Sequence, residues 1–438
     1  MGNEYSKKIL NNASWLIASK IIQAGLSFLI GTISAQYLGP SNYGLISYAT
    51  SIVTFLVPIT QLGMRHTLVQ EIVNNPSKEG EILGTTLGMT MISSFVGIIG
   101  MVLFVSIANS GDKVTIMVCS LYSVTLVFQS LELIEYWFQA KWLAKYTSIT
   151  ALIAYTVVSI YRVTLLVTEK SVYWFALSHA LDYLIISIVL LVIYKKIGKK
   201  SFKISFLTAK KLFSKSRHYI ISDVMVCLYT QTDHIMLTLM LGNSTNGIYN
   251  AALTCANISG FIFAAIIDSA RPAIFQSKKQ CQQQFEKNIS RLYSIIIYLS
   301  LAQCIVVTIL AKPMIDILYG TNYSEAIVIL RILTWYPTFS YMGTVRNIWM
   351  LSEEKQKLIW KINMSGAVIN IVGNAILIPL CGAVGAALAT IGTQVVTNFL
   401  LCYIFKNIRY NLKLIKNGAN PIFMMNELKY LIRDKGRT

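Results

Sequence analysis

The chain has 438 residues, of which 55% are hydrophobic and only 13% are charged, and its net charge is +19. Soluble proteins carry about twice this charged fraction, so the composition excludes a string of soluble domains and indicates a membrane protein. The basic excess lies between apolar segments and near the C-terminal end, so membrane topology explains it better than binding of nucleic acid does.

Repeated apolar segments follow along the chain, each long enough to cross a bilayer, which takes about 20 residues. They cover residues 9–37, 45–73, 82–108, 114–138, 148–167, 172–194, 219–241, 248–274, 292–311, 326–351, 358–380 and 383–405. The first carries a polar stripe at helical spacing, so one face of that helix should point inward rather than into lipid. The stripe consists of Asn12, Ser19, Lys20, Gln23, Ser27, Gly31 and Ser34.

The segment 195–217 is the most basic of the chain, with nine Lys or Arg residues and no acid. Six apolar segments precede it and six follow, so it marks the boundary between two halves. The connections 139–147, 271–291 and 351–361 are also basic, whereas the alternate connections are short and nearly neutral. This asymmetry predicts that both termini are cytoplasmic. The connection 74–81, with one Lys and two Glu, is the exception.

A short pattern in the first half recurs in the second at an offset of 203 residues. Gly39 and Gly44 correspond to Gly242 and Gly247, two glycines five apart after an apolar segment. Under the same offset Lys20 falls on Asp223. Arg65 likewise falls on Asp268, one helical turn before Arg271. Internal repeats of this kind are typical of transporters.

The seventh apolar segment contains Asp223, Asp233 and His234. A charge is expensive in hydrocarbon, so these groups should face a wet interior or a partner. Asp223, Cys227, Thr230 and His234 share one helical face. This face either lines a transport path or forms a buried polar patch that holds helices together. Lys20, Arg162 and Asp182 also lie within apolar segments.

The chain lacks the motifs of the common enzyme and nucleotide-binding sites. No P-loop, G-x-S-x-G or H-E-x-x-H pattern occurs, and the connections are too short for a catalytic domain. The seven cysteines have no paired spacing and the four histidines are scattered. We therefore expect no catalytic residue, metal or cofactor.

Four patterns together carry a family resemblance. They are Leu38-Gly39-Pro40-x-x-Tyr43-Gly44; Asp233-x-x-Met236-Leu237 with Leu241-Gly242 and Gly247-x-Tyr249-x-Ala251; Leu318-Tyr319-Gly320-x-x-Tyr323-x-x-Ala326 with Leu330-Arg331; and Gly382-Ala383-Val384-Gly385-Ala386-Ala387. In these the chain resembles polysaccharide flippases of the Wzx type, within the multidrug/oligosaccharidyl-lipid/polysaccharide exporter superfamily. Thr238 stands where that family usually has a small residue.

The resemblance implies an all-α membrane protein with about twelve transmembrane helices in two pseudo-symmetric six-helix bundles around a central cavity. The bundles would cover 1–194 and 218–406, with 195–217 as a cytoplasmic linker and 407–438 as a basic cytoplasmic tail. It also implies an inner-membrane flippase for a polyprenyl-diphosphate-linked oligosaccharide of O-antigen or capsule synthesis. Partners would be membrane lipids, a polysaccharide polymerase and a chain-length regulator, and not nucleic acid.

Within that interpretation the intramembrane charges become candidate site residues. Cations in a wet cavity pair well with a diphosphate, so Lys20, Arg65 and Arg271 are the candidate contacts, with Arg162 as a further one. The candidate acids are Asp182, Asp223 and Asp233. We expect Asp182 or Asp233 to couple transport to an ion gradient and Asp223 to pair with Lys20.

Three alternatives stay open at this stage. A lipid II flippase or multidrug exporter of the same superfamily would share the fold. A drug exporter for cations would need an acidic cavity, whereas we expect a cavity of mixed to basic charge. A membrane polymerase or ligase would need a large outer loop. A structural scaffold would leave the charges at membrane depth unexplained.

Overall fold

The computed structural model of the protein describes residues 2–198 and 200–426, with side chains from Ser19 onward. Asn12 of the polar stripe and residues 427–438 of the predicted tail are therefore outside the described side chains. Every regular element within the described ranges is helical, which confirms the predicted all-α class. The chain divides into two compact units, Met1–Gly247 and Ile248–Thr438. These units are defined by contacts between residues, whereas the predicted six-helix bundles are defined by pseudo-symmetry. The predicted bundles therefore remain a prediction.

The first unit contains most of the long helices. They are α1 (Gly2–Thr60), α2 (Leu68–Asn74), α3 (Glu79–Ala108), α4 (Lys113–Ser123), α5 (Thr125–Glu132), α6 (Glu135–Ala140), α7 (Ala144–Val167), α8 (Val172–Ile197) and α9 (Phe206–Leu241). The remaining helices are α10 (Asn243–Ala256), which ends in the second unit, α11 (Gly260–Gln280), α12 (Gln282–Leu318), α13 (Ala326–Leu333), α14 (Tyr336–Ser352), α15 (Ile359–Val395), α16 (Leu401–Ile404) and α17 (Tyr410–Gly418). A π-helix, Val396–Leu400, joins α15 to α16.

Eight helical stretches of the described chain are long and apolar enough to cross a membrane, and α10 with α11, bent by 47°, form a ninth. Two of the eight, Ser19–Thr60 and Gln356–Ile404, are 42 and 49 residues long. Each contains a glycine outside helical geometry and has the length of two crossings. Counting both of them twice makes 9 + 2 = 11 crossings, and α13 with α14 occupy the predicted tenth segment.

The sharp breaks in α1 and α15 occur at Gly39 and Gly382, whose φ angles are 68° and 62°. Only glycine adopts this left-handed region without a steric penalty from a Cβ atom. Pro40 follows the first of these glycines and provides no backbone N–H for the preceding turn. The two long helices can therefore reverse direction without a loop.

The basic linker is packed along α3 rather than standing free. Lys203 donates its backbone N–H to the Gly80 carbonyl at 3.3 Å, and Ser205 donates its own to Thr85 Oγ1 at 3.1 Å. A Cβ atom on Gly84 would lie 2.6 Å from the Lys203 carbonyl oxygen, so only glycine allows this approach. The start of α9 is thereby held against α3.

The acids of the exceptional connection and of α2 are neutralised by lysines. Glu79 pairs with Lys141 at 2.7 Å and with Lys200 at 3.9 Å, and Glu71 pairs with Lys215. Each lysine belongs to a basic connection or to the start of α9. The connection 74–81 therefore lies on the same side of the bundle as those basic segments, which removes the exception to the predicted topology.

Candidate functional site: a polar cavity in the first unit

The core of the first unit consists of two apolar clusters with a polar layer between them. Along α8, Phe175 belongs to the first cluster and Ile186 to the second. His179, Asp182 and Tyr183 lie between these positions in the chain and line a cavity. Along α8 the sequence therefore places polar residues between the positions that belong to the two apolar clusters.

The cavity has a volume of about 340 Å³ and is lined by α1 and by α4 to α8. Its ionisable side chains are Lys20, Glu132, Glu135, Arg162, His179 and Asp182, accompanied by Tyr122, Tyr155 and Tyr183. Among the side chains that the structure describes, three carboxyl groups stand against two strong cations, so the expectation of a mixed to basic cavity is wrong. Lys20, Arg162 and Asp182, which the sequence singled out separately, share this one cavity.

Arg162 and Asp182 form an ion pair across α7 and α8. Arg162 Nη2 lies 3.5 Å from Asp182 Oδ2, and Arg162 Nε donates to Ser178 Oγ at 2.9 Å. Ser178 and Asp182 are four residues apart on α8, so one helical face presents both acceptors to the guanidinium. Both charged side chains are largely buried, at 14% and 12% exposure. Such a pair is held together more strongly than one in water.

Lys20 reaches the cavity from the polar stripe of α1. Ser19, Gln23 and Ser27 line the cavity with it, which confirms the predicted inward face for this part of the stripe. Lys20 is close enough to Glu135 to interact with it electrostatically. Lys20, like Arg162, therefore has an acidic side chain nearby.

Glu132 and Glu135, near the end of the fourth apolar segment, also line the cavity but were not among the site residues expected from the sequence. α5 ends at Glu132 and α6 begins at Glu135, so the two acids flank a break in the helix. Leu133 and Ile134, between them, are buried in the second apolar cluster. Two acids three residues apart inside an apolar segment were the available signal.

Several buried oxygen atoms of the cavity lining make no hydrogen bond. They are Thr125 Oγ1, Gln129 Oε1, Ser148 Oγ and Asp182 Oδ1. Buried polar atoms are nearly always hydrogen-bonded in folded proteins. The cavity therefore has an unmet capacity to bind a polar or charged ligand.

Asp223 pairs with a partner other than the expected Lys20. Arg65 Nη2 and His66 Nε2 lie 3.1 and 2.8 Å from Asp223 Oδ2, and His66 stacks on Tyr219. The expected Lys20–Asp223 pair is therefore wrong for this structure. The turn Met64–His66 brings its own cation to α9, so the charge of Asp223 is satisfied outside the cavity.

Asp233 and His234 are buried near the other end of α9. His234 Nδ1 lies 2.7 Å from Asn246 Oδ1 and 3.3 Å from Ser47 Oγ, and Asn246 donates to the Gly44 carbonyl at 2.9 Å. This network ties α9 to the second half of α1 and to α10. Neither residue of α9 lines the cavity.

The repeated glycine patterns contact each other reciprocally. A Cβ atom on Gly44 would meet the Asn243 carbonyl oxygen, and one on Gly247 would meet the Pro40 carbonyl oxygen. Pro40 and Asn243 are themselves related by the 203-residue offset. Gly39 and Gly242 also share a backbone geometry, with ψ angles of 172° and 171°. The repeat is therefore structural, and its two copies meet about a local pseudo-twofold axis.

Arg271 and Arg346 lie in apolar segments of the second unit and differ in their surroundings. Arg271 pairs with Asp268, three residues earlier on α11, at 3.0 Å, and both side chains are substantially exposed. Arg346, by contrast, is only 4% exposed. Its Nη1 donates to the Thr397 carbonyl at 2.7 Å and to Asn398 Oδ1 at 3.1 Å. These acceptors belong to the π-helix.

Long apolar helices that line a charged cavity are the features of a multi-pass membrane transporter, the class of protein to which the chain belongs. Solved structures agree on the fold. The lipid II flippase MurJ in an inward closed conformation matches with a TM-score of 0.71 at 16% identity, over 95% of this chain and 92% of that one. A multidrug resistance transporter of the MATE family matches with a TM-score of 0.64 at 12% identity, over 90% and 95%.

The chain belongs to the polysaccharide biosynthesis protein family, which matches residues 9–278. Among relatives, the capsular polysaccharide biosynthesis protein CapF of Staphylococcus aureus is 23% identical over 91% of this chain and 100% of its own. A putative O-antigen transporter of Escherichia coli K12 is 19% identical over 87% and 94%. The chain is a membrane transporter of the flippase type rather than an enzyme, as the sequence predicted.

Proposed function

We propose that the protein moves a polyprenyl-diphosphate-linked oligosaccharide from the cytoplasmic to the outer leaflet of the bacterial inner membrane, for O-antigen or capsule synthesis. The observation that carries this proposal is the cavity that holds Lys20 and Arg162 between two apolar clusters. A diphosphate is a compact anion that must cross hydrocarbon. Cations held at membrane depth lower that barrier by replacing the water around it.

Lys20 and Arg162 are the groups we assign to the diphosphate. Arg162 offers a planar set of donors that suits phosphate oxygens, whereas Lys20 supplies a mobile point charge. Arg65 and Arg271 remain proposed contacts at other stages of transport, because each is already paired with one acid, Asp223 or Asp268.

The acids of the cavity provide a route for coupling. The diphosphate would bind Arg162 and Lys20. Their acidic partners, Asp182 and Glu135, would then be left without counter-charges in a medium of low dielectric. A proton or another monovalent cation that binds these carboxyl groups restores the balance. One charge moving through 100 mV supplies about 2.3 kcal/mol, so an ion gradient can drive the cycle. Asp233 is the alternative coupling residue, and Asp223 holds α9 to the turn before α2 in the state described.

The orientation that this proposal needs has both termini and the linker in the cytoplasm. Single cysteines at Ser201 and Ser244, in a background without native cysteines, should be labelled from opposite sides of the membrane. Both positions are exposed in the structure. Labelling of both from the outside would contradict the orientation. A polysaccharide polymerase and a chain-length regulator are the proposed protein partners.

The charges in the cavity also fit a second candidate function. Three carboxyl groups and three tyrosines against two cations are also what an exporter of cationic drugs requires. The two functions differ in cargo and are therefore separable in the same vesicles. A lipid II flippase would share the diphosphate site and differ only in the sugar.

The test uses purified protein in vesicles that contain a lipid-linked oligosaccharide with a polyprenyl diphosphate. Wild type should make the sugar accessible on the opposite leaflet, measured with an external glycosidase. Lys20→Ala and Arg162→Ala should lower the rate about 10- to 100-fold, because each loses a charge-assisted contact of about 1.5–3 kcal/mol. Lys413→Ala, on α17, is the control for loss of a positive charge and should act like wild type. Movement of a cationic dye without movement of the oligosaccharide would favour the exporter.

A further inference from the structure

A second cavity of the first unit lies between the first half of α1 and α7. Its volume is about 490 Å³, larger than that of the polar cavity. Its lining consists of Leu26, Thr156, Ser159, Ile160, Val163, Thr164 and Val167. We refer to it as the α1–α7 groove.

The α1–α7 groove is apolar although three of its residues carry hydroxyl groups. Thr156 and Thr164 donate their hydroxyls to the carbonyls of Leu152 and Ile160 in the preceding turn, at 2.8 and 2.9 Å. Because these hydroxyls are already hydrogen-bonded, a ligand would contact the methyl groups of Thr156 and Thr164. Space also exists beside the groove on α1, since a Cβ atom on Gly25 would meet no atom within 4 Å. The groove therefore suits a hydrocarbon chain.

The groove and the polar cavity share the same two helices on neighbouring faces. On α7, Arg162 lines the polar cavity and Val163 lines the groove, and two turns earlier Tyr155 lines the cavity and Thr156 the groove. On α1, Ser27 lines the cavity and Leu26 the groove. A ligand with a charged end at Arg162 would thus find an apolar path starting one residue away.

We propose that the α1–α7 groove binds the isoprenoid chain of the lipid-linked cargo while its diphosphate is held at Lys20 and Arg162. This rests on the proposed function. A polar cavity with two cations beside an apolar groove fits a molecule in which a compact anion is joined directly to a long hydrocarbon. Because the chain enters from lipid rather than from water, its affinity comes from packing against the helix surfaces and not from the hydrophobic effect. A longer chain makes more of these contacts.

The test fills the groove and compares two cargoes that differ only in isoprenoid length. Val163→Trp places an indole in the groove. Val157→Trp is the matched control, since Val157 lies on the same helix, is 46% exposed against 43% for Val163, and is not part of the groove lining. Ser159→Leu is a smaller filling substitution in case the indole hinders folding. Flipping is measured in vesicles with a short-chain and a long-chain diphosphate oligosaccharide.

Wild type should move the long-chain cargo faster than the short-chain cargo. Val163→Trp should remove this preference, with a loss of about tenfold for the long chain, or 1.4 kcal/mol, and little change for the short one. Ser159→Leu should reduce the preference in the same direction, and Val157→Trp should keep it.

Equal losses for both chain lengths, as expected if ordinary phospholipid tails fill the groove, would overturn the inference while leaving the flippase function intact. If wild type moves neither cargo, the flippase proposal fails, and the assignment of the groove fails with it.

Discussion

Arg162 in the first unit and Arg346 in the second are both buried arginines within apolar helices, yet their surroundings differ. Arg162 faces a carboxylate, Asp182, beside a cavity. Arg346 donates to neutral oxygens of the π-helix, among them the Thr397 carbonyl, inside the apolar core of its unit. A cation with an anionic partner next to free space can exchange that partner for a ligand. A cation bound to a main-chain carbonyl and to side-chain amide oxygens in a packed core supports the structure instead.

The largest expected effect concerns the ion pair of the first unit. Asp182→Asn leaves the Arg162 guanidinium buried without a counter-charge, which should lower the free energy of unfolding by about 3–5 kcal/mol. Adding Arg162→Gln should restore much of this loss, because both charges are then absent. Thermal unfolding of the purified protein in detergent measures both changes. A double variant no more stable than Asp182→Asn alone would show that the pair is not coupled.

The second prediction concerns Arg346. Arg346→Met should lower the free energy of unfolding by about 1–3 kcal/mol, because the acceptors on the π-helix lose their donor. The transport rate per folded molecule should stay near that of wild type, in contrast to Arg162→Met, where we expect the rate to fall about 10- to 100-fold. Flipping assays normalised to folded protein separate the two variants. Loss of transport in both would remove the distinction between a ligand-binding and a structural arginine.

The third prediction concerns Gly84, whose close contact with the linker involves no charge. Gly84→Ala brings a Cβ atom against the Lys203 carbonyl, so it should cost about 1–3 kcal/mol and free the linker for cleavage by trypsin. Gly100→Ala lies on the same helix in open space and should stabilise α3 by about 0.5–1 kcal/mol. Limited proteolysis and thermal unfolding report the two effects. Equal trypsin sensitivity would mean that the linker does not depend on this close approach.

The smallest effect is expected at an exposed carboxylate. Hydrogen bonds from the Thr115 side chain and from the backbone N–H groups of Thr115 and Val114 lower the pKa of Asp112, the residue that caps α4. Its stabilisation of about 0.5–2 kcal/mol should be fully present above the ordinary Asp pKa, near 3.9. It should then disappear as the pH falls through the lower native value.

Asp112→Asn is the control for this cap, since an amide oxygen can also accept these hydrogen bonds but does not titrate. Unfolding measured against pH should show a falling difference between wild type and Asp112→Ala in acid. The difference between Asp112→Asn and Asp112→Ala should stay constant. A wild-type difference that does not begin to fall as the pH drops below the ordinary Asp pKa, near 3.9, would exclude the capping carboxylate as its source.

Much of the architecture could be predicted because it depends on hydropathy and local backbone chemistry. Apolar segment lengths predicted the membrane helices, and the paired glycines predicted the repeat whose copies meet at Gly44 and Gly247. The polar stripe around Lys20 predicted a helix face that lines a cavity. These features depend on the sequence of one helix or one turn, so they can be predicted without knowing which other helices pack against it.

The partners of the charges were decided only by the tertiary structure. Asp223 meets Arg65 instead of Lys20, Glu132 and Glu135 enter the cavity, and Arg346 is buried against the π-helix. Hydropathy sets which residues enter the membrane, but the rotation of each helix about its axis and its choice of neighbour depend on packing with other helices. A rotation by one residue, about 100°, changes which side chain faces a cavity, and the spacing along a single helix does not record it.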